Sequence, residues 1–450
     1  MILILGAGLA GLSASYHLGH EHCLILEKNH YPFGHIHSEF INGFTWDEGP
    51  HVSFTKHDYV KELFAASVED EYDEYEVKTG NYFQGYWIDH PAQSNLYQIP
   101  EPLRGECLQS FLNTRQAINP DRAPMNYAEW LEWALGPVFA ENFPAAYTRK
   151  YWTTEPKNLT TGWVGSRVFY PSVEDVVAGS KGPLSRQTHY ITQVRYPRQG
   201  GYQAFGRLLA KDARVQLNRV VERIDLVAQK VWCDTGESFD YTQLISTLPL
   251  PVFVRCCQQA TPEVLEAAVA LCCSQLLLVN VEAPHPARRS ENWLYVYDED
   301  KYSTRIHFTE KLTPGNAPEG WSGIQVEVYF SRYKPLPITK EEVAERVIDE
   351  LFEMGLLDSG LDRKAVRYPV KWLDWANVIF DHSTKAALDT IFTWLAGYGL
   401  QREENDLEPI TNWDIRNESG IGDVVLVGRF GQWKYFWSDD CVLRLKDKNL

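Results

Sequence analysis

Ile2-Leu3-Ile4-Leu5-Gly6-Ala7-Gly8-Leu9-Ala10-Gly11 opens the chain, and Leu12 to Leu18 continues it at helical spacing. A second apolar run, Cys23-Leu24-Ile25-Leu26, follows and ends in Glu27. A short strand, a G-x-G-x-x-G turn, a helix, another strand and an acid about twenty residues on make up the complete dinucleotide-binding fingerprint. Each glycine has its own reason. Gly6 permits the tight turn, Gly8 lets the backbone approach a pyrophosphate, and Gly11 lets the helix pack on the strand. Leu9 and Ala10 begin a helix whose N-terminus faces the phosphates, and Glu27 would accept hydrogen bonds from a ribose hydroxyl.

Composition sets the frame around this motif. A chain of 450 residues exceeds what a single core holds, so two or three structural units are expected. With 44% apolar, 13% aromatic and 23% charged residues, it is neither disordered nor of low complexity. No apolar run approaches a membrane span, and Met1 to Leu5 is too short for a signal peptide. The net charge of −17 argues against nucleic acid or an anionic membrane as partner. An anionic ligand would need arginines concentrated at its site. The eight cysteines, with Cys256-Cys257 and Cys272-Cys273 adjacent, follow no metal spacing and no secreted disulfide framework, which points to a reduced cytoplasm.

Further along, the acidic run Glu69 to Glu74 reads as a solvated face. The aromatic and Ala/Leu-rich stretch 126–165 reads as packed helices. Strands are expected at Val215-Gln216-Leu217, Val220 to Ile224 and Leu244 to Thr247, and again at Val424 to Arg429. Ile324-Gln325-Val326-Glu327-Val328-Tyr329 alternates as a half-exposed antiparallel strand would. Thr339 and Glu342 form a capping box for a helix reaching about Gly355, and a second helix is expected from Thr384 to Leu395.

The segment Gly428-Arg429-Phe430-Gly431-Gln432-Trp433-Lys434-Tyr435 resembles the closing motif of UDP-galactopyranose mutases, flavoproteins related to amine oxidases. Other landmarks agree in the family's order. They are Gly49-Pro50-His51-Val52-Ser53-Phe54, then Tyr147-Thr148-Arg149-Lys150-Tyr151-Trp152 with Pro156 and Leu159, then Arg195-Tyr196-Pro197 with Gly200-Gly201-Tyr202. Arg305 in Tyr302-Ser303-Thr304-Arg305 and the pair Tyr368-Pro369 also find counterparts. The resemblance implies FAD in the N-terminal fingerprint, with Val221 flanking the adenine and Gly34 and Gly428 beside the flavin. It implies that the flavin works reduced, with NAD(P)H a candidate external reductant. Its N5 would attack the anomeric carbon of a nucleotide sugar, UDP-linked as the resemblance implies, so that the ring opens and recloses as pyranose or furanose. Such an enzyme would serve cell-surface polysaccharide synthesis.

The same resemblance assigns roles. His51 would lie against the flavin near N5, and Arg305 and Arg429 would clamp the diphosphate from two sides. Planar guanidinium groups suit that work, because they bind phosphate oxygens bidentately and stay charged. Tyr147 and Trp152 would line the uracil, Arg167 would be a further substrate arginine one residue out of register, and Tyr368 and Tyr435 would donate to phosphate. Two departures stand out. Phe33-Gly34-His35 replaces the family's double glycine, and Phe436-Trp437-Ser438-Asp439-Asp440 shows no obvious counterpart to the family's helix.

The expected architecture is α/β. A Rossmann-like FAD domain would be drawn from 1–60, 195–255 and 415–450, with a mainly helical insertion at 61–194. An antiparallel sheet with helices would fill 256–414. Two other functions fit the cofactor fold: an amine-oxidase-like oxidoreductase, and a non-catalytic flavoprotein in which Phe33 blocks the N5 face. A diphosphate clamp separates the first reading from the second, since an amine oxidase has no use for one.

Overall fold

The computed structural model describes residues 1–117, 123–165, 168–184, 193–400 and 423–446. A five-stranded sheet runs in the order Val424–Leu426, Gln243–Ser246, Ile2–Leu5, Cys23–Leu26, Val215–Gln216. Every pairing in it is parallel. Ile2–Leu5 and Cys23–Leu26 are continuous apolar runs because a parallel sheet is covered on both faces, and all eight of these residues are buried. Each such Leu or Ile contributes about 1.5–3 kcal/mol by leaving water. Segments from the beginning, middle and end of the chain thus meet at one sheet. Their C-terminal ends carry the turns at Gly6 and Gly428, where ligands of open α/β sheets bind.

The second sheet has seven strands, ordered Val370–Leu373, Gln275–Ala283, Ser322–Phe330, Arg305–Phe308, Trp293–Val296, Thr79–Phe83, Tyr86–Asp89. It is antiparallel except where Thr79–Phe83 runs parallel to Trp293–Val296. The alternation at Ile324–Tyr329 proves not to mark a solvated face, for every residue of Ser322–Phe330 is buried. Ile324, Val326 and Val328 pack under the helix Lys340–Glu353, capped by Thr339 and Glu342 as the sequence predicts. Gln325, Glu327 and Tyr329 point the other way, toward the Asp47 carbonyl, Arg305 and Tyr151 respectively. The polar phase of this strand belongs to the candidate site.

Between 61 and 194 the chain is not helical throughout. Tyr72–Glu76 is a strand paired with Gln193–Pro197, and Thr79–Asp89 is the hairpin that joins the seven-stranded sheet. The acidic run is therefore partly a strand edge, with Glu74 paired to Arg195 and both Glu71 and Asp73 to Arg198. Helices Leu103–Ala117 and Tyr127–Leu135 follow, and Pro137–Ala140 leads into a π-helical turn, Glu141–Ala145, and then Ala146–Tyr151. Pro144 lacks the N–H that regular winding needs, which accounts for the wider turn. Thr148 Oγ1 donates to the Pro144 carbonyl at 2.7 Å, and the turn sets the phase of Tyr147, Tyr151 and Trp152. Among the described residues, no helix is long and apolar enough to cross a membrane.

Candidate active site

The glycine turn shows which glycines serve the protein and which serve a guest. A Cβ on Gly6 would lie 2.1 Å from Thr247 Oγ1, and one on Gly11 would lie 2.0 Å from the Gly6 carbonyl oxygen. Both are required by internal packing. A Cβ on Gly8 would meet only the Gly34 Cα, at 3.8 Å. Nothing among the described residues demands a glycine there, so the open cradle over Gly8 fits a group from outside. Gly8 is also the N-cap of the helix Leu9–Leu18, and no side chain caps it, which leaves its first N–H groups facing the cradle. Glu27 is buried at the end of its strand, where its carboxylate accepts from the N–H of Ala7 at 2.8 Å and of Asn29 at 2.9 Å. Arg219 donates its backbone N–H to the Glu27 carbonyl, bringing the chain that enters Val221–Asp225 alongside. Gly428 closes the other side, its missing Cβ only 3.1 Å from that of Ala10.

Phe33 does not block this cradle. Its backbone is left-handed, with φ 84°, and its ring packs at Gly206, where an added Cβ would meet Phe33 Cδ1 at 3.2 Å. The ring is half-buried and packs against the cluster that holds Ile36 and Phe205. At the second departure, Ser438–Leu443 forms a short helix, with Asp440 accepting from the Trp437 N–H at 2.8 Å.

His51 follows Gly49, whose φ of 102° turns the chain sharply. Its ring stacks on Tyr202 at 5.4 Å, and its Nδ1 is buried without a hydrogen-bond partner among the described residues. Burial, with the positive groups His35, Arg429 and Arg305, pulls its pKa down to about 3, against an opposing pull from Glu48. It is therefore a neutral imidazole. Gln325 holds this loop by accepting from the Gly49 N–H at 3.1 Å and donating to the Asp47 carbonyl at 2.9 Å.

Arg305 sits in the sheet directly opposite Glu327, which the sequence reading did not single out. The carboxylate accepts from both Nε and Nη2, the latter at 2.8 Å. Burial opposes the charge, yet Glu327 holds the guanidinium pKa well above its ordinary value. Arg305 is thus half of a neutral pair, and only Nη1 lacks an acceptor among the described residues. Around it stand Tyr147, Tyr151, Tyr295 and Tyr329, with Tyr147 and Tyr151 stacked at 5.6 Å and Tyr151 and Tyr329 tilted against each other at 4.7 Å. The Tyr147 hydroxyl is buried and has no partner among the described residues. His307, two residues along the same strand, is 1% exposed with both ring nitrogens unpartnered. Burial first, then Arg305 and His51, lower its pKa to about 3. The sequence signal for Glu327 and His307 was their phase on alternating strands, which a reading of a solvated face conceals.

Arg429 donates Nε to the Phe436 carbonyl at 2.8 Å and Nη1 to Asn377 Oδ1 at 3.3 Å. Its Nη2 has no acceptor among the described residues. Its Cζ is 5.4 Å from the Tyr435 ring centre, and the Tyr435 hydroxyl is 3.5 Å from that of Tyr151. Trp152, buried, packs on Tyr435 at 5.5 Å and on Trp163 at 4.9 Å. His51, Arg305, Arg429, Tyr147, Trp152 and Tyr435 are therefore neighbours through shared contacts or fields. Tyr368 is not among them. It packs with the cluster under the Lys340–Glu353 helix, on the face of the sheet opposite Arg305, because the polypeptide reaches Val370–Leu373 along the outer edge. Arg167 lies outside the described residues.

A family model described as flavin containing amine oxidoreductase matches residues 9–376, and the chain belongs to that family. Among solved structures, reduced UDP-galactopyranose mutase superposes with a TM-score of 0.84 at 22% identity, covering 98% of this chain and 93% of that one. A protein from Exiguobacterium sp. 255-15 assigned as a protoporphyrinogen oxidase gives 0.71 at 15% identity, covering 99% and 96%. A redesigned putrescine oxidase gives 0.59 at 13%, covering 99% and 97%. At these identities the likeness is one of fold.

Proposed function

We propose that this flavin-family enzyme interconverts the pyranose and furanose forms of a nucleotide-linked sugar, most simply a UDP-sugar, using FAD in its reduced form. The observation that carries the reading is the gathering of open donors. Arg305 Nη1, Arg429 Nη2 and the unpartnered Tyr147 hydroxyl stand beside the Tyr151–Tyr435 hydroxyl pair and a neutral His51. A set of N–H and O–H groups suits a diphosphate. Its two negative charges would otherwise be repelled by a chain of net charge −17.

In this reading Gly8 and the N-terminus of Leu9–Leu18 would hold the pyrophosphate of FAD, Glu27 a ribose and Val221 the adenine. When bound and reduced, the flavin supplies the nucleophile at N5. The chain's own residues do the rest. Arg429 and Arg305 orient the diphosphate and stabilise the charge that builds on the leaving oxygen. Glu327 keeps Arg305 from swinging, and the Tyr147–Trp152 segment excludes water. His51, held neutral, adds no cation beside the leaving group. NAD(P)H as reductant and a cytoplasmic setting go with this proposal.

The second reading, an oxidoreductase of the amine-oxidase kind, is favoured by one observation: Glu327 already neutralises Arg305, and most of the wall is aromatic. Titration of UDP into the oxidised, FAD-loaded protein separates the two. A saturable change in the flavin absorption, weakened in Arg429→Ala, supports the mutase. No UDP response, with anaerobic bleaching of the flavin by a primary amine, supports the oxidase.

A further inference from the structure

A row of oxidisable rings leads from the candidate site to the surface. Tyr435 is 5.5 Å from Trp152, Trp152 is 4.9 Å from Trp163, and Trp163 is 5.0 Å from Tyr127. Tyr127 is 5.9 Å from Trp130, and Trp130 is 6.3 Å from Tyr170, centre to centre throughout. The inner end stands against Arg429, on the turn that Gly428 brings to the start of Leu9–Leu18. At the outer end Tyr170 is 52% exposed.

Aromatic cores also pack at such separations, so distance alone decides nothing. Two features set this row apart. Every ring in it is Tyr or Trp, the side chains that give up one electron most readily, although the neighbouring core uses Phe at Phe139 and Phe143. Proton acceptors are also unevenly placed. Trp163 Nε1 is buried with no acceptor among the described residues, so an electron vacancy there keeps its proton and is not trapped. At Tyr170, Arg115 Nη1 donates to the hydroxyl oxygen, which leaves the hydroxyl's own proton to solvent.

We propose that this row conducts single electrons between the bound flavin and Tyr170. The inference rests on the flavin-family reading and not on the identity of the substrate. Light-excited oxidised flavin takes one electron from the inner end of the row, and the vacancy passes outward. It comes to rest on Tyr170 as a neutral phenoxyl, whose proton has gone to water. A thiolate in solution returns one electron and water returns the proton, so Tyr170 is restored and the thiolate leaves as a thiyl radical. On balance the flavin gains one electron and the thiol pool loses one. Two such passages, with a proton from water, carry the two electrons that full reduction of a flavin takes, and the two thiyl radicals couple to a disulfide; for an enzyme that needs its flavin reduced, the route is a means of priming it.

The test is laser-flash transient absorption of the FAD-loaded, oxidised protein under argon, with and without β-mercaptoethanol. The wild type is expected to show a long-lived phase carrying Tyr or Trp radical absorption, and photoreduction by the thiol. Trp130→Phe and Tyr170→Phe, both near the surface and outside the substrate site, are expected to lose that phase while keeping full flavin content. A competing row leaves through Tyr151, Tyr147 and Tyr297. Tyr297→Phe is therefore expected to behave as wild type. The proposal is overturned if Trp130→Phe and Tyr170→Phe decay like the wild type, or if Tyr297→Phe alone removes the long-lived phase. A protein with the phase but no affinity for UDP keeps this inference and removes the mutase reading.

Discussion

The glycine turn and the sheet wall opposite it are built on contrary principles. At Gly6–Gly11 the site is made of backbone and of missing side chains, and Gly8 has room for a Cβ that no protein atom would contest within 3.8 Å. On the wall the site is made of side chains, and each charge is answered from a neighbouring strand, as Arg305 is by Glu327. The first kind of site is fixed by a few consecutive residues. The second exists only once strands distant in sequence come into register, and a one-residue slip would turn Glu327 into the outer core.

This contrast predicts that the two halves fail separately. The largest effect is expected for Gly8→Val, whose side chain fills the cradle without touching the core. The variant should fold with the wild-type Tm and circular dichroism yet purify without flavin. A Gly8→Val protein that remained yellow would break the comparison. Arg429→Ala should do the converse. Flavin content should be unchanged while turnover on the nucleotide sugar falls by on the order of 10²–10³-fold, as on losing an oxyanion donor. Steady-state kinetics with a flavin count on the same preparation checks both halves of that statement.

The smallest effect concerns protons. His307 is neutral in the fold, with its pKa lowered to about 3 by burial, then by Arg305 and His51. The unfolded chain, with an ordinary histidine near 6.5, binds more protons between those values, so stability rises with pH there and is lost as pH falls below the unfolded value. His307→Phe removes this penalty. Its Tm should therefore fall less than the wild type's between about pH 7 and about pH 5. Equal slopes would mean that His307 already holds a proton in the folded protein.

Legibility follows the same line. The Ile2–Leu26 unit could be read directly, because apolar runs and glycines at fixed spacing encode both the strand–turn–helix and its ligand. The capping box at Thr339 was equally local. Glu327 and His307 escaped because alternation along one strand gives two phases but not which phase is wet. That depends on the Asp47–His51 loop lying over Gln325. Tyr368 was misplaced for a related reason, since a motif fixes position along the chain but not the face of the sheet. Phe33 looked like an obstruction, and only its contact at Gly206 shows where its ring goes.

The central claim is that the wall acts on a leaving diphosphate while the cofactor ends each cycle as it began. It is tested most directly by incubating the FAD-loaded protein with UDP-galactopyranose, fully reduced by dithionite or fully oxidised, and separating the products by chromatography. The account predicts UDP-galactofuranose from the reduced protein alone, at equilibrium with its precursor, and with the flavin still reduced at the end. It is contradicted if the reduced protein leaves UDP-galactopyranose unchanged while the oxidised protein consumes an amine and bleaches.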